Sequence, residues 1–311
     1  MIPRQSGRPI GVGIQLPEVE REVRWPELRA IACLAEQAGF DSIWFGDHLL
    51  YRFDSGETRG PWEAWTTLAG LAEATTRVTL GPLVAATAFH SPFMLAKQAA
   101  TVDEISGGRL VLGLGAGWNP TEFAALGQPF DKRIARFEEA FTIVRTLLAH
   151  GTIDFAGEFY EARDAELLPR PSRPGGPPLL IGSSGARMLA ATIPYVDSWN
   201  AWYADTGNSP AGVARLRDIV DAAAVLAGRD PAAIERTVAV QVQMPGGAGR
   251  VMGDTSDRMA VPPLSGTPEM MAAELRAYAA AGIGHVQLVV DPITEASVAA
   301  LAPVLELLDR G

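Results

Sequence analysis

The stretch Arg109-Leu-Val-Leu-Gly-Leu-Gly-Ala-Gly-Trp118 decides how this chain is read. It opens as a short apolar strand and ends in Gly113, Gly115 and Gly117, spaced by two, before Trp118, Asn119 and Pro120. Glycines directly after an apolar strand let a backbone approach a ligand that side chains would exclude. A dinucleotide fingerprint would need G-x-G-x-x-G opening a helix, with an acidic residue about 20 positions on. The spacing here is different, and Trp118-Asn119-Pro120 is expected to interrupt any immediate helix. The stretch therefore asks for a cofactor held outside a Rossmann cleft.

Working outward, strand-like and helix-like segments alternate. Strands are expected at Ile10–Leu16, Ser42–Phe45, Arg77–Val84, Leu110–Leu114, Leu179–Ile181, Val196–Trp199, Thr237–Val242 and His285–Val290. Helices are expected at Trp25–Ala38, Trp62–Thr75, Pro92–Ile105, Arg133–Ala149, Ala186–Ile193, Ala211–Leu226, Glu269–Ala281 and Ala296–Leu308. The fourth of these places Ile134, Phe137, Phe141, Val144 and Leu148 on one face. Short apolar strands suit a sheet covered on both sides. The strand-then-helix rhythm favours an α/β fold of (β/α)8 barrel type over an open doubly wound sheet. Residues 1–311 are expected to form one barrel domain with two insertions. One lies at about 151–178, a small hairpin plus a Pro-rich connector. The other lies at about 244–268, read either as a lid or as a surface excursion.

Composition bounds the function. The chain has 311 residues, is 48% hydrophobic and carries a net charge of −10 with both signs mixed. The absence of a basic block argues against nucleic acid as a partner. Cys33 is the sole cysteine, so no internal disulfide can form. Met1–Pro9 shows no apolar h-region, and no apolar run approaches the roughly 18 residues of a membrane span. A cytoplasmic enzyme without membrane contact is the expectation.

In such a barrel, active residues sit at the C-terminal ends of the strands. Asp47-His48 adjoin there, and a histidine near its unperturbed pKa can give or take a proton at neutral pH. Neighbours on an extended chain point opposite ways, so the two need not form a pair. His90 caps the next helix or lines the rim, and His285 is read as structural at the barrel bottom. No clustered ligand motif is present, so no metal is expected. Gly182-Ser183-Ser184-Gly185 opens a helix, where free N–H groups and two hydroxyls make a phosphate cradle, with Arg187 available to add charge. A plain serine cap is the alternative.

Gly39-Phe-Asp-Ser-Ile-Trp-Phe-Gly-Asp-His48 and Ser106-Gly-Gly-Arg-Leu-Val-Leu-Gly-Leu-Gly-Ala-Gly-Trp-Asn119, followed by Glu122-Phe123, Gly127, Arg133, Arg136-Phe-Glu138 and Gly182–Gly185, resemble the luciferase-like oxidoreductase superfamily. The resemblance runs over nearly the whole chain and is strongest to the branch using the deazaflavin coenzyme F-420. Flavin mononucleotide (FMN) users share the outline. It implies a ring-type cofactor at the barrel mouth, touched by Leu83, Val84 and Ala85, where deazaflavin members often carry a non-prolyl cis peptide. It further implies Ala116, Gly117 and Thr121 as cofactor lining, and Gly182, Ser183, Ser184 and Gly185 on the phosphate side. Asp47 and His48 match positions beside ring and substrate. Members that oxidise sugar phosphates place a glutamate where this chain has Trp118, which argues against that substrate class. Trp118 and Trp202, with Trp62, would instead wall a flat or apolar substrate, while Trp44 reads as barrel packing.

The expected function is hydride transfer between reduced coenzyme F-420 and a small organic substrate. His48 would handle the proton and Asp47 would position the ring or the imidazole. One alternative is an FMN-dependent monooxygenase using O2 and a separate reductase. Another, from a different class, is a metal-free barrel hydrolase or lyase acting on a phosphorylated substrate. A homodimer is implied by the resemblance only, and the substrate is expected to be set by the loops Gly46–Pro61 and Met244–Pro268.

Overall fold

The computed structural model describes residues 2–4, 7–250, 252 and 260–310. Among them, nine parallel strand segments form one sheet. They are β1 (Gly11–Gln15), β2 (Ser42–Phe45), β3 in two pieces (Thr79–Pro82 and Ala85–Ala86), β4 (Leu112–Gly115), β5 (Leu179–Ile181), β6 (Ser198–Ala201), β7 (Glu235–Gln243) and β8 (His285–Asp291). Neighbours run from the first piece of β3 through β2, β1, β8, β7, β6, β5 and β4 to the second piece of β3. The two pieces of one strand are thus the two ends of the sheet, and a parallel bridge from Leu80 to Leu110 joins the first piece to the approach of β4. The sheet closes on itself as the expected (β/α)8 barrel.

The helices are α1 (Trp25–Ala38), α2 (Ala64–Ala74), α3 (Pro92–Ile105), α4 (Pro120–Ala125), α5 (Arg133–His150), α6 (Ala186–Thr192), α7 (Pro210–Leu226), α8 (Pro268–Ala280) and α9 (Glu295–Asp309). Their starts follow local chemistry. Proline occupies the first turn of α1, α3, α4, α7 and α8, where its missing N–H costs nothing. Ser209, Thr267 and Thr294 cap α7, α8 and α9 through their hydroxyls. Helix α5 buries Phe137, Phe141, Val144 and Leu148 as its periodicity predicts. None of the helices is long and apolar enough to cross a membrane, among the described residues.

The lower barrel is filled by side chains that glycines on β1 make room for. A Cβ on Gly13 would lie 2.1 Å from Ser42 Oγ and 2.8 Å from Trp44 Nε1, and one on Gly11 would lie 2.3 Å from His285 Nδ1. Ser42 Oγ takes Trp44 Nε1–H at 2.7 Å and meets His285 Nε2 at 2.7 Å. Trp44 is therefore core. Complete burial, helped by the charge of Arg8, pushes the His285 pKa down to about 3.

Two local expectations are corrected. The run Arg77–Val84 is not one strand, because pairing stops at Pro82 and resumes at Ala85. Pro120 does not interrupt a helix but begins α4, with Asn119 Oδ1 accepting Thr121 N–H as its cap. The strand pair Tyr51–Arg52 and Thr58–Arg59 is too short to show an alternation in sequence. Thr152–Ala156 and Glu161–Glu166 form an antiparallel hairpin in the first insertion. Of the stretch 244–268, residues 251 and 253–259 lie outside the described residues, so the lid reading falls partly beyond them.

Candidate active site

A cavity of about 560 Å³ opens at the C-terminal ends of the strands. One wall is built by Val84. Its side chain lies across Gly115 of β4 and Gly182 just after β5: a Cβ on Gly115 would sit 2.7 Å from Val84 Cγ2, and one on Gly182 would sit 3.2 Å from Val84 Cγ1. A Cβ on Gly113 would collide with Pro82 O at 2.3 Å. The glycines of β4 thus admit the protein's own β3, and Val84 is what faces the cavity. The Leu83–Val84 peptide is cis. Gly117 has φ 77°, and the Phe123 ring stands 2.8 Å from where its Cβ would be, so the turn after β4 admits only glycine.

The acid beside His48 in sequence is not its partner. His48 Nδ1 lies 2.7 Å from Glu122 Oε2 on α4, while Glu122 Oε1 accepts the Leu49 N–H at 2.7 Å. Asp47 turns away, and its Oδ2 accepts Ala86 N–H at 2.9 Å and meets His90 Nε2 at 2.7 Å. Asp47 therefore ties the end of β2 to the second piece of β3. Burial works to lower the His48 pKa, but the Glu122 hydrogen bond and the charges of Glu18, Glu122 and Asp47 outweigh it. The imidazole is held above its ordinary value.

Glu18, after β1, is a buried hub. Its Oε1 accepts Tyr51 O–H at 2.8 Å and lies 3.9 Å from His48 Nε2. Its Oε2 accepts Gln15 Nε2–H at 2.6 Å and Arg250 Nη2–H at 3.1 Å. Burial and the Glu18 charge push the Tyr51 phenol well above its usual range. Trp118 meets His48 edge-on, with ring centroids 5.4 Å apart. Met252 packs beside Tyr51 and Trp118 and also lines the cavity.

Of the residues singled out from sequence, Asp47, His48, Leu83, Val84, Ala116, Gly117, Trp118, Gly182, Ser183, Ser184 and Trp202 line this cavity. Three do not. Ala85 is buried in the sheet, paired with Leu114. Thr121 sits at the capped start of α4, whose cavity-facing residue is Glu122. Gly185 is the exposed residue before α6. Arg187 adds no charge to the serines, because Glu138 takes its Nε–H and Nη2–H at 2.6 Å each. Trp62 is 47% exposed and faces a separate cleft. No group of three metal-ligating side chains occurs among the described residues. Sequence reasoning missed Glu18, Tyr51 and Arg250, and gave Glu122 no role.

The family model described as luciferase-like monooxygenase matches residues 10–247. An F420-dependent glucose-6-phosphate dehydrogenase of Amycolatopsis mediterranei is 35% identical over 165 residues, 51% of this chain and 48% of that protein. An F420-dependent hydroxymycolic acid dehydrogenase of Mycobacterium tuberculosis is 31% identical, covering 71% of this chain and 59% of that protein. An FMNH(2)-dependent dimethylsulfone monooxygenase of Pseudomonas putida is 28% identical, covering 73% and 60%. The chain thus spans about half to three-fifths of the length of these relatives. Among solved structures, an F420-dependent secondary alcohol dehydrogenase in complex with an F420-acetone adduct superposes with a TM-score of 0.81 at 19% identity, over 96% of this chain and 99% of that one.

Proposed function

The chain belongs to the luciferase-like monooxygenase family, and from that premise we propose that it is a two-electron oxidoreductase using coenzyme F-420 on a small organic substrate. The observation that carries the reading is the His48–Glu122 pair, set in the cavity that Val84 and the β4 glycines wall. Val84 offers an apolar face, and Ala116 and Gly117 offer backbone rather than bulk. A cavity of about 560 Å³ falls in the range of cofactor sites. Ser183 and Ser184 put hydroxyls on the same cavity, suited to a phosphate-bearing tail. These residues fit a planar ring with a polar tail. When bound, the coenzyme supplies or accepts the hydride, chemistry that no side chain here provides.

The side chains then have distinct tasks. Glu122 accepts from Nδ1–H of His48, which leaves Nε2 as the atom that gives or takes the substrate proton. With its pKa raised, His48 keeps a larger protonated share at neutral pH and serves as the acid when substrate is reduced. In the reverse direction the neutral imidazole serves as base. Asp47 holds Ala86 and His90, and so positions the wall rather than the imidazole. Trp118, Trp202 and Met252 surround the remaining space with apolar surface, favouring a flat or apolar substrate.

The test mixes enzyme and reduced coenzyme with a panel of ketones, aldehydes and enones and follows reoxidation by visible absorption. His48→Ala with the coenzyme fully bound should slow the step by at least about 100-fold; an unchanged rate removes the role of His48. Dependence on reduced FMN and O2, with a separate reductase to supply the reduced flavin, would favour the monooxygenase reading; the Pseudomonas relative is named as an FMNH(2)-dependent monooxygenase. A homodimer is part of this proposal and rests on family resemblance.

A further inference from the structure

We propose that Arg250 is a positioning residue for the substrate side of the site. It clamps the stretch after β7 onto the loop after β1, seats Met252 in the cavity wall, and offsets the carboxylate that faces His48. The inference rests on the reading of His48 as the proton-handling group.

Arg250, on the stretch Met244–Arg250, stands 232 and 230 residues from its partners Glu18 and Glu20. Its Nε–H goes to Glu20 Oε1 at 2.7 Å and its Nη2–H to Glu18 Oε2 at 3.1 Å. The Arg250 and Glu18 side chains are 1% and 2% exposed, so solvent screens this pair little. A guanidinium presents several donors in one fixed plane and can meet two carboxylates at once; an ammonium cannot hold that geometry. The same stretch is fastened at its other side, where Met244 N–H donates to Asp291 O at 2.8 Å and Gly249 N–H to Asp291 Oδ2 at 2.7 Å. The chain after β7 is therefore pinned between the ends of β8 and β1.

Two consequences reach the site. Two residues beyond the clamp, Met252 is buried in one apolar cluster with Val19 and Tyr51, against which Phe53 and Trp118 pack, and Tyr203 O–H lies 3.8 Å from its sulfur. Glu18 also divides its two oxygens. One meets Arg250 and Gln15, and the other meets Tyr51 and faces His48 Nε2 at 3.9 Å. The groups facing His48 are then Glu122 from α4, Glu18 from the loop after β1 and Tyr51 from the small hairpin, while Asp47, turned toward His90, acts on it through its charge alone. Arg250 is the cation that balances Glu18 within this set.

The test uses the full chain without cofactor or substrate. Hydrogen–deuterium exchange reads the peptide spanning 244–252, and an NMR titration reads the His48 imidazole. In Arg250→Met, exchange at Gly249 should quicken at least about tenfold as local opening becomes easier. The His48 pKa should rise by at least about 0.5, because Glu18 is no longer offset. Arg250→Lys keeps the charge but loses the fork, so it should restore the His48 titration while exchange stays fast. Wild-type exchange and titration in Arg250→Met would overturn the proposal, as would a lysine variant that leaves His48 shifted. Should Arg250→Met not fold, Glu20→Gln removes one arm only; faster exchange with an unmoved His48 supports the clamp, and unchanged exchange overturns it. Neither readout needs cofactor, so failure of coenzyme binding would sink the functional reading without deciding this one.

Discussion

His48 Nδ1 lies 2.7 Å from Glu122 Oε2, although 74 residues separate the two in sequence. The carboxylate next door, Asp47, belongs instead to His90. This exchange of partners decides which substitutions should touch proton handling and which should touch the cavity wall.

Glu122→Gln should lower the His48 pKa, because it removes both a hydrogen bond and a charge that raise it. The amide can also donate to Nδ1, which moves the imidazole proton to Nε2 and misplaces the tautomer. Turnover should fall by about 100-fold, with coenzyme affinity within about twofold of wild type. Steady-state kinetics and a binding titration check both halves. Equal loss of binding and turnover would mean that Glu122 is structural.

Gly115→Ala should press on Val84, since the added Cβ would lie 2.7 Å from Val84 Cγ2. Overpacking of this kind costs about 1–3 kcal/mol, visible as a fall of several degrees in Tm. The double variant Gly115→Ala/Val84→Ala should recover most of that loss, because the colliding group is gone. Thermal melts of the three proteins decide it; additive losses would show that Val84 and Gly115 do not interact.

Stability should fall in acid through His285. Its folded pKa of about 3 lies below the ordinary value of 6.5, so the unfolded chain binds more protons between those values. Its contribution is fully present above pH 6.5 and is lost as pH falls from 6.5 toward 3, on the order of 4–5 kcal/mol over the full span. His48 works in the opposite sense: its raised pKa contributes most below the unfolded value and fades as pH rises through the folded one. Denaturant melts at pH 7, 5 and 4 should therefore show a steeper acid loss in wild type than in His285→Gln. Equal slopes would contradict the burial argument.

The phosphate side separates two features that look alike in sequence. Ser183→Ala/Ser184→Ala should weaken coenzyme binding about tenfold, because two hydroxyls leave the cavity wall. Arg187→Ala should leave it unchanged, since that guanidinium is engaged by Glu138. Isothermal titration of both variants checks the contrast.

The barrel was legible because each strand is apolar and each helix periodic, signals that are local. What stayed hidden was relational. Arg77–Val84 reads as one strand by composition, and only its position between β2 and β4 divides it around Val84. Pro120 reads as a break by composition, although proline at a first helical turn after Asn119 is a start signal. Glu18, Glu122 and Arg250 are ordinary surface-type residues in sequence. Their burial depends on chain segments that meet only in the closed barrel. The glycine run stands out in sequence as a place of close approach, but what approaches is the protein itself: its first two members make space for β3, and Gly117 has the positive φ that turns the chain.

The central claim, a deazaflavin in the mouth of this barrel, is tested most directly by titrating the purified protein with coenzyme F-420 and, separately, with FMN, followed by visible absorption and fluorescence. Saturable one-to-one binding of F-420, weakened by Ser183→Ala/Ser184→Ala, with FMN at least about tenfold weaker, is the predicted result. Tight FMN binding with no affinity for F-420, or no binding of either, would contradict it.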